Sequence, residues 1–178
     1  GGYFATAGGV TVNNIARWDG AAWTSLGLGA NDYVAALMVF DDDGQGPHAP
    51  ALYAGGLFTM VGDVAANRIA KWDGISWSSV GTGFNDAVFD LKVFDPDGPG
   101  PQSSLLIAGG NFTEADGSPA NRIAAWDGAS WTPIGMGMNG YVYRFAEYDI
   151  DGDGPLPPRL FVGGSINSPA GNPSKSIY

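Results

Sequence analysis

Three stretches of the chain concentrate the residue types able to do chemistry. Asp41, Asp43, Gly44 and Gly46 recur as Asp95, Asp97, Gly98 and Gly100, and again as Asp149, Asp151, Gly152 and Gly154. Oxygens at alternate positions ahead of a sharp glycine bend can converge on one hard cation, as in the opening of a calcium loop. The third copy, DIDGDG, adds Asp153 where the first two carry Gln45 and Pro99. Asp149, Asp151 and Asp153 are therefore the candidate metal ligands, with calcium as the candidate ion and no other cofactor expected. The later acidic ligand of such a loop is missing: its ninth position is Ala49, Ser103 or Pro157 and its twelfth is Leu52, Leu106 or Leu160. The competing reading is a proline-stiffened turn.

A second set pairs aromatics with a carboxylate. Trp18, Asp19, Gly20 and Trp23 recur as Trp72, Asp73, Gly74 and Trp77 and as Trp126, Asp127, Gly128 and Trp131. Glycine after Asp supplies the positive φ of a tight hairpin, and the carboxylate can accept hydrogen bonds from turn amides. The rings read as packing between repeats, with a sugar-stacking platform as the alternative. A third set, Gly27, Gly29 and Asn31 with its two later copies, lacks the helix and third glycine of a nucleotide loop and reads as a connection. Ala36, Asp90 and Arg144 share one slot of successive repeats, which makes Asp90 and Arg144 a candidate salt bridge between neighbouring strands. His48 reads as a solvated turn residue.

The composition narrows the partners. Eight Lys and Arg against eighteen Asp and Glu give a net charge of -10, so no cationic surface is available to neutralise nucleic-acid phosphates. With no cysteine and one histidine, the chain has neither thiol nucleophile nor imidazole cluster. No apolar run reaches the roughly 18 residues of a membrane-spanning helix, and no membrane insertion is expected. All acids but Glu114 and Glu147 are Asp, and Gly (29) and Pro (12) are abundant, a bias that favours turns between short strands over helices.

These motifs are positioned by a repeat. Gly1-Gly2, Gly55-Gly56, Gly109-Gly110 and Gly163-Gly164 recur every 54 residues, and residues 163–178 match 1–16, ending where the next Trp-Asp-Gly is due. The array is thus expected to continue in a parent chain or to be completed by another copy. Each unit reads as four strands. Residues 33–40 (YVAALMVF) are apolar throughout, as in a strand buried on both faces and lying innermost. Residues 51–56 (ALYAGG) follow, their glycines suiting close backbone approach or a bulge. Residues 14–19 form the third strand, and 23–26 the fourth, placed outermost because Pro133 occupies it in the third copy.

Four antiparallel strands per unit are the signature of a β-propeller blade. The segments IAKWDGISW (69–77), VFDLKVF (88–94) and LLIAGG (105–110) resemble the kelch repeat, with Asp-Gly where kelch units usually have Asp-Pro and a longer loop after the inner strand. The pattern is also similar to the propeller repeats of Rax2-type fungal cell-surface proteins and of bacterial surface proteins. The resemblance implies an all-β propeller segment of about three blades. Residues 1–32 would supply the outer strands of a blade, 33–86 and 87–140 whole blades, and 141–178 the inner strands of a further blade.

The expected function is a non-enzymatic structural or interaction module, extracellular or on the cell surface, whose open ends favour association with copies of itself or with further repeats of the parent chain. The alternatives are a carbohydrate-binding propeller and a fragment of a propeller hydrolase or lyase. A glycan or protein ligand is expected at the loops that vary between copies. The candidate ligand-binding residues there are Asn31, Asp32 and Tyr33, Asn85 and Asp86, and Asn139 and Tyr141. The Asp-x-Asp-Gly and Trp-Asp-Gly turns should share the opposite face.

Overall fold

The structure, a computed structural model, describes residues 1–44, 46–98, 101–152 and 156–165, and every regular element among them is a strand. The first repeat gives β1 (Thr6–Ala7), β2 (Val10–Thr11), β3 (Ala16–Trp18), β4 (Trp23–Ser25), β5 (Val34–Phe40) and β6 (Ala51–Gly56). The second gives β7 (Met60–Val61), β8 (Val64–Ala65), β9 (Ile69–Trp72), β10 (Trp77–Ser79), β11 (Val88–Phe94) and β12 (Leu105–Gly110). The third gives β13 (Glu114–Ala115), β14 (Ser118–Pro119), β15 (Ile123–Trp126), β16 (Trp131–Pro133), β17 (Tyr141–Tyr148) and β18 (Arg159–Ser165). No helix of the described residues is long and apolar enough to cross a membrane.

Each four-stranded sheet straddles a repeat boundary. Two four-stranded antiparallel sheets run β5-β6-β9-β10 and β11-β12-β15-β16, and the ends of the chain supply the two-stranded pairs β3-β4 and β17-β18. Pro133 lies on the outermost strand β16, where the missing N–H costs no ladder bond. At the opposite edge of the sheets, β11 packs beside both β5 and β17.

The paired glycines explain how closely these sheets approach. The inner strand bulges between Val34 and Ala36, between Val88 and Asp90, and between Val142 and Arg144. A Cβ at Gly56 or Gly110 would strike the carbonyl oxygen of Tyr33 or Ala87 at that bulge, whereas one at Gly55 would come 2.7 Å from Cγ1 of Val88 on the next inner strand. One glycine therefore admits the bulge and its partner admits the neighbouring sheet.

Burial follows from this packing. One apolar cluster joins Phe40, Tyr53 and Val80 to Leu91, Leu106, Trp126 and Trp131, and a second joins Ile15 and Leu26 to Phe58, Val61 and Trp77. The all-apolar run at 33–40 predicts burial on both faces, yet Val39 is 59% exposed. As the edge strand of its sheet, β5 is covered fully only where β11 lies against it. The small hairpins β1-β2, β7-β8 and β13-β14, two residues to a strand, had no separate sequence signal.

Candidate functional site

The hairpin Asp residues do what their spacing predicts. Asp19 Oδ1 accepts the N–H groups of Ala21 and Ala22 at 2.8 and 2.9 Å, and Asp73 and Asp127 repeat the arrangement with Ile75 and Ser76 and with Ala129 and Ser130. These amides hold all three carboxyls below the usual range. Gly20, Gly74 and Gly128 take φ near 100°. The Trp pairs pack with rings tilted at 45–54° and centroids 5.3–5.4 Å apart. Trp77 also donates from Nε1 to the Leu26 carbonyl of the preceding repeat at 3.0 Å.

Around the Asp-x-Asp-Gly loops, each first Asp accepts the N–H of the second Asp, at 3.4, 3.3 and 3.2 Å from Asp41, Asp95 and Asp149. Each second Asp accepts an N–H five residues on: His48 to Asp43, Gln102 to Asp97 and Leu156 to Asp151. The loops thus close on their own backbone. In the third loop Asp149 and Asp151 are exposed, while Asp153 lies outside the described residues. A calcium shell takes roughly six to eight oxygens, of which this pair is a beginning. In the first two loops the Oδ1 atoms of Asp43 and Asp97 are buried without a hydrogen-bond partner.

Among the described residues, another acidic group converges. Ligand atoms of Asp42, Asp43 and His48 lie within 4.8 Å of one another, and His48 Nδ1 is 2.8 Å from Asp43 Oδ2. This group does not fit a metal, because Lys71 Nζ already sits 2.6 Å from Asp42 Oδ2 and supplies the positive charge. Tyr53 donates its hydroxyl to the same oxygen at 2.8 Å. Burial pushes the Asp42 carboxyl up, but the Lys71 and Tyr53 hydrogen bonds outweigh it and leave it below its ordinary value. Burial, and then the Asp42 carboxylate, push the Tyr53 hydroxyl well up. Nothing in the Asp-x-Asp-Gly spacing marks this triad, since Asp42 is the variable residue of the motif.

A cleft of about 870 Å³ lies here, lined by Asp41, Asp42, Asp43, Ser103 and Asp127 among others. It brings an Asp-x-Asp-Gly loop against a Trp-Asp-Gly turn, as expected from strand direction. The approach is close enough that a Cβ on Gly128 would strike the Asp42 carbonyl.

On the other set of loops, Asn31 is a stitch between repeats. Its Oδ1 accepts the N–H groups of Thr59 and Met60 at 3.0 and 3.1 Å, and its Nδ2 donates to Thr59 Oγ1 at 3.0 Å. Asn85 makes the same three bonds to Thr113 and Glu114 at 2.8–3.0 Å. Asp32 and Asp86 accept the following N–H at 2.7 Å, and Asp86 also accepts from Asn111 Nδ2 at 2.8 Å. Asn139, at the same slot, is likewise engaged. Tyr33 and Tyr141 remain exposed, and Tyr143 stands between Tyr141 and Phe89, with centroids 6.2 and 5.6 Å away. A shallow cleft of about 310 Å³ opens beside Asn13, Asn14 and Asn31.

The Gly-x-Gly segments are locks. Asn13, Asn67 and Asn121 donate from Nδ2 to the carbonyls of Leu28, Thr82 and Met136 at 2.8–3.1 Å. Gly29, Gly83 and Gly137 have φ of 74–80°, and a Cβ there would meet the backbone oxygen of Asn13, Asn67 or Asn121. Asp116, whose repeat equivalents are Gly62 and Gly8 and which therefore belongs to no recurring motif, aims its carboxylate into the second segment and accepts Thr82 N–H at 2.7 Å and Gly83 N–H at 3.3 Å.

Among the described residues, Asp90 and Arg144 form no ion pair, contrary to the expectation from their shared slot. Asp90 Oδ2 accepts Phe145 N–H at 2.7 Å and Arg144 donates to the Phe89 carbonyl at 3.2 Å, so each side chain bonds the neighbouring strand's backbone at the bulge. The ion pair joining β11 to β17 is Lys92 with Glu147, at 3.0 Å.

Fold and site together define an all-β repeat protein of antiparallel sheets. Over 81 residues, 42% of the chain, it is 35% identical to Polarized growth protein L1 of Phoma sp., and it spans 6% of that protein's length. No family model matches the chain, and no solved structure matches it.

Proposed function

We infer that the chain is a non-enzymatic interaction module, extracellular or on the cell surface, built from propeller blades that assemble with further blades of the same kind, in a parent chain or in another copy. One observation carries this reading. Successive four-stranded sheets are set side by side by their inner strands, and Asn31 and Asn85 tie each 54-residue repeat to the next, so the repeats form one frame. The charged groups of the inner strands also support it, since Asp90, Lys92, Arg144 and Glu147 are taken up in bonds between strands. Electron microscopy of the purified particle tests the reading: ring-shaped projections with a central channel are expected, and a rod or an open arc would overturn the propeller architecture.

A glycan-binding role is favoured by the row of Phe89, Tyr143 and Tyr141 on β11 and β17, and by exposed Tyr33 at the repeat position equivalent to Tyr141. Aromatic faces of this kind stack on apolar sugar faces. Binding on a glycan array that is lost in Tyr33→Ala and Tyr141→Ala would establish it, and an array with no signal would remove it.

A further inference from the structure

Two junctions between repeats share one backbone and differ in one carboxylate. Where the second repeat meets the third, Asp116 Oδ1 accepts Thr82 N–H at 2.7 Å, Gly83 N–H at 3.3 Å and the Thr82 hydroxyl at 3.2 Å, while its Oδ2 accepts Trp131 N–H at 3.3 Å. Most of these donors are backbone N–H groups, gathered by a glycine-rich turn into a concavity that suits an anion. Where the first repeat meets the second, Gly62 stands in the place of Asp116. The surrounding backbone is the same. Gly27 and Gly81 have φ of 60° and 59°, Gly29 and Gly83 of 76° and 80°, and Gly62 and Asp116 of 56° and 49°. Gly62 N–H donates to the Gly29 carbonyl at 2.7 Å, as Asp116 N–H does to that of Gly83 at 3.0 Å. Leu28 and Trp77 are the equivalents of Thr82 and Trp131, so the first junction repeats the amides that hold a carboxylate at the second.

The space at Gly62 is shaped by residues inside both repeats. A cleft of about 310 Å³ lies there, lined among others by Asn13, Asn14, Leu28, Asn31, Met60 and Gly62. A Cβ at Gly62 would meet Trp77 Cδ1 at 3.4 Å, ordinary contact, whereas at the second junction a Cβ on Gly81 would strike the Asp116 carboxylate. None of the lining residues is acidic, and Met60 stands where the second junction has Glu114. Asn14 is shorter than its equivalents Arg68 and Arg122, which leaves room beyond a carboxylate for the body of a ligand. That body meets amide side chains, which match hydroxyl groups, and the exposed side chains of Leu28 and Met60, which match an apolar face. A peptide would find no strand to extend, because β7 is paired with β8 on one side and bridged to Ala30 on the other.

We propose that the first junction binds a uronic acid unit of a glycan, its carboxylate taking the place that Asp116 fills at the second junction. Leu28 N–H is the principal donor to the carboxylate, since Gly29 N–H also reaches the Leu26 carbonyl at 3.2 Å. Asn13 and Asn14 face the sugar hydroxyls, and the ring lies against Leu28 and Met60. Tyr33, two residues beyond Asn31 and exposed, is placed to meet the next sugar of the chain.

This inference rests on the glycan-binding reading and names its sugar and its site. Calorimetric titration of the full chain with D-glucuronate tests it, with D-glucose and the blocked tripeptide acetyl-Gly-Asp-Gly-amide as comparisons. Glucuronate is expected to saturate one site and to change the emission of the tryptophans through Trp77, with both comparisons at least about tenfold weaker. Gly62→Asp supplies the carboxylate from the chain itself, as Asp116 does, and should abolish glucuronate binding. Should that variant fail to fold, the amide proton of Leu28 in the wild-type chain decides: it moves downfield with glucuronate if the proposal holds. No glucuronate binding, binding unchanged in Gly62→Asp, a still Leu28 amide, or glucose or the tripeptide binding as tightly overturns the proposal. A glycan array that keeps its signal while glucuronate fails strikes this site and leaves the tyrosines as the glycan surface. An array without signal beside glucuronate binding that obeys Gly62→Asp removes the polymer and leaves the site.

Discussion

The amides of Ser76 and Ile75 hold the Asp73 carboxyl below its usual range, and Asp19 and Asp127 sit in the same setting. A carboxyl whose folded pKa is lowered stabilises the fold above its unfolded value of about 4, and that contribution is lost as pH falls through the folded value. Urea unfolding is therefore expected to give a stability flat above about pH 5 that declines below it. The triple variant Asp19→Asn, Asp73→Asn, Asp127→Asn should show a shallower acid decline, and an unchanged profile would count against these turns as the source. At Asp42 the cost of a substitution falls on the partners left behind. Asp42→Ala leaves the Tyr53 hydroxyl buried without an acceptor and Lys71 without its counter-ion, at a cost of about 1–3 kcal/mol in denaturant unfolding. Tyr53→Phe, which removes the donor and leaves the Lys71 pair, should cost about 1 kcal/mol.

At the scale of the elements, the stitches and locks make the strongest claims. Asn85→Ala removes three exposed hydrogen bonds between one repeat and the next and is expected to cost about 1 kcal/mol. Gly83→Ala meets both a positive φ and the Asn67 carbonyl, so it should cost more than Asn85→Ala in the same thermal-melt comparison. Equal effects would mean that the Gly-x-Gly segment is a pliable connection. Much of this level was legible in the sequence. The strand order followed from Pro133 at the edge and from the apolar run at 33–40; the paired glycines suited close backbone approach or a bulge, and the bulge lies on the facing inner strand. Periodicity misled at Val39, since an apolar run does not distinguish a strand covered on both faces from an edge strand beside a similar neighbour. Asp42, Lys71 and Tyr53 meet across 29 residues at variable positions of the repeat, so spacing within one motif gives no sign of them. The shared slot of Asp90 and Arg144 was legible, but the bulge turns both groups onto backbone atoms.

For the whole molecule, the two four-stranded sheets lie side by side through β5 and β11, and β11 lies in turn beside β17. β6 and β12 have partners on both sides, and β18 has one among the described residues. Amide exchange rates follow such differences, because a strand at an open edge is released by local opening while a central strand waits for larger unfolding. The central claim is that each 54-residue unit folds as a four-stranded sheet completed by its neighbour, and hydrogen–deuterium exchange on the dilute chain tests it most directly. Amides of β6 and β12 are expected to be the slowest in the molecule, with β18 clearly faster. Exchange in β18 as slow as in β12 under dilute conditions, or rapid exchange in β6 and β12, would contradict it.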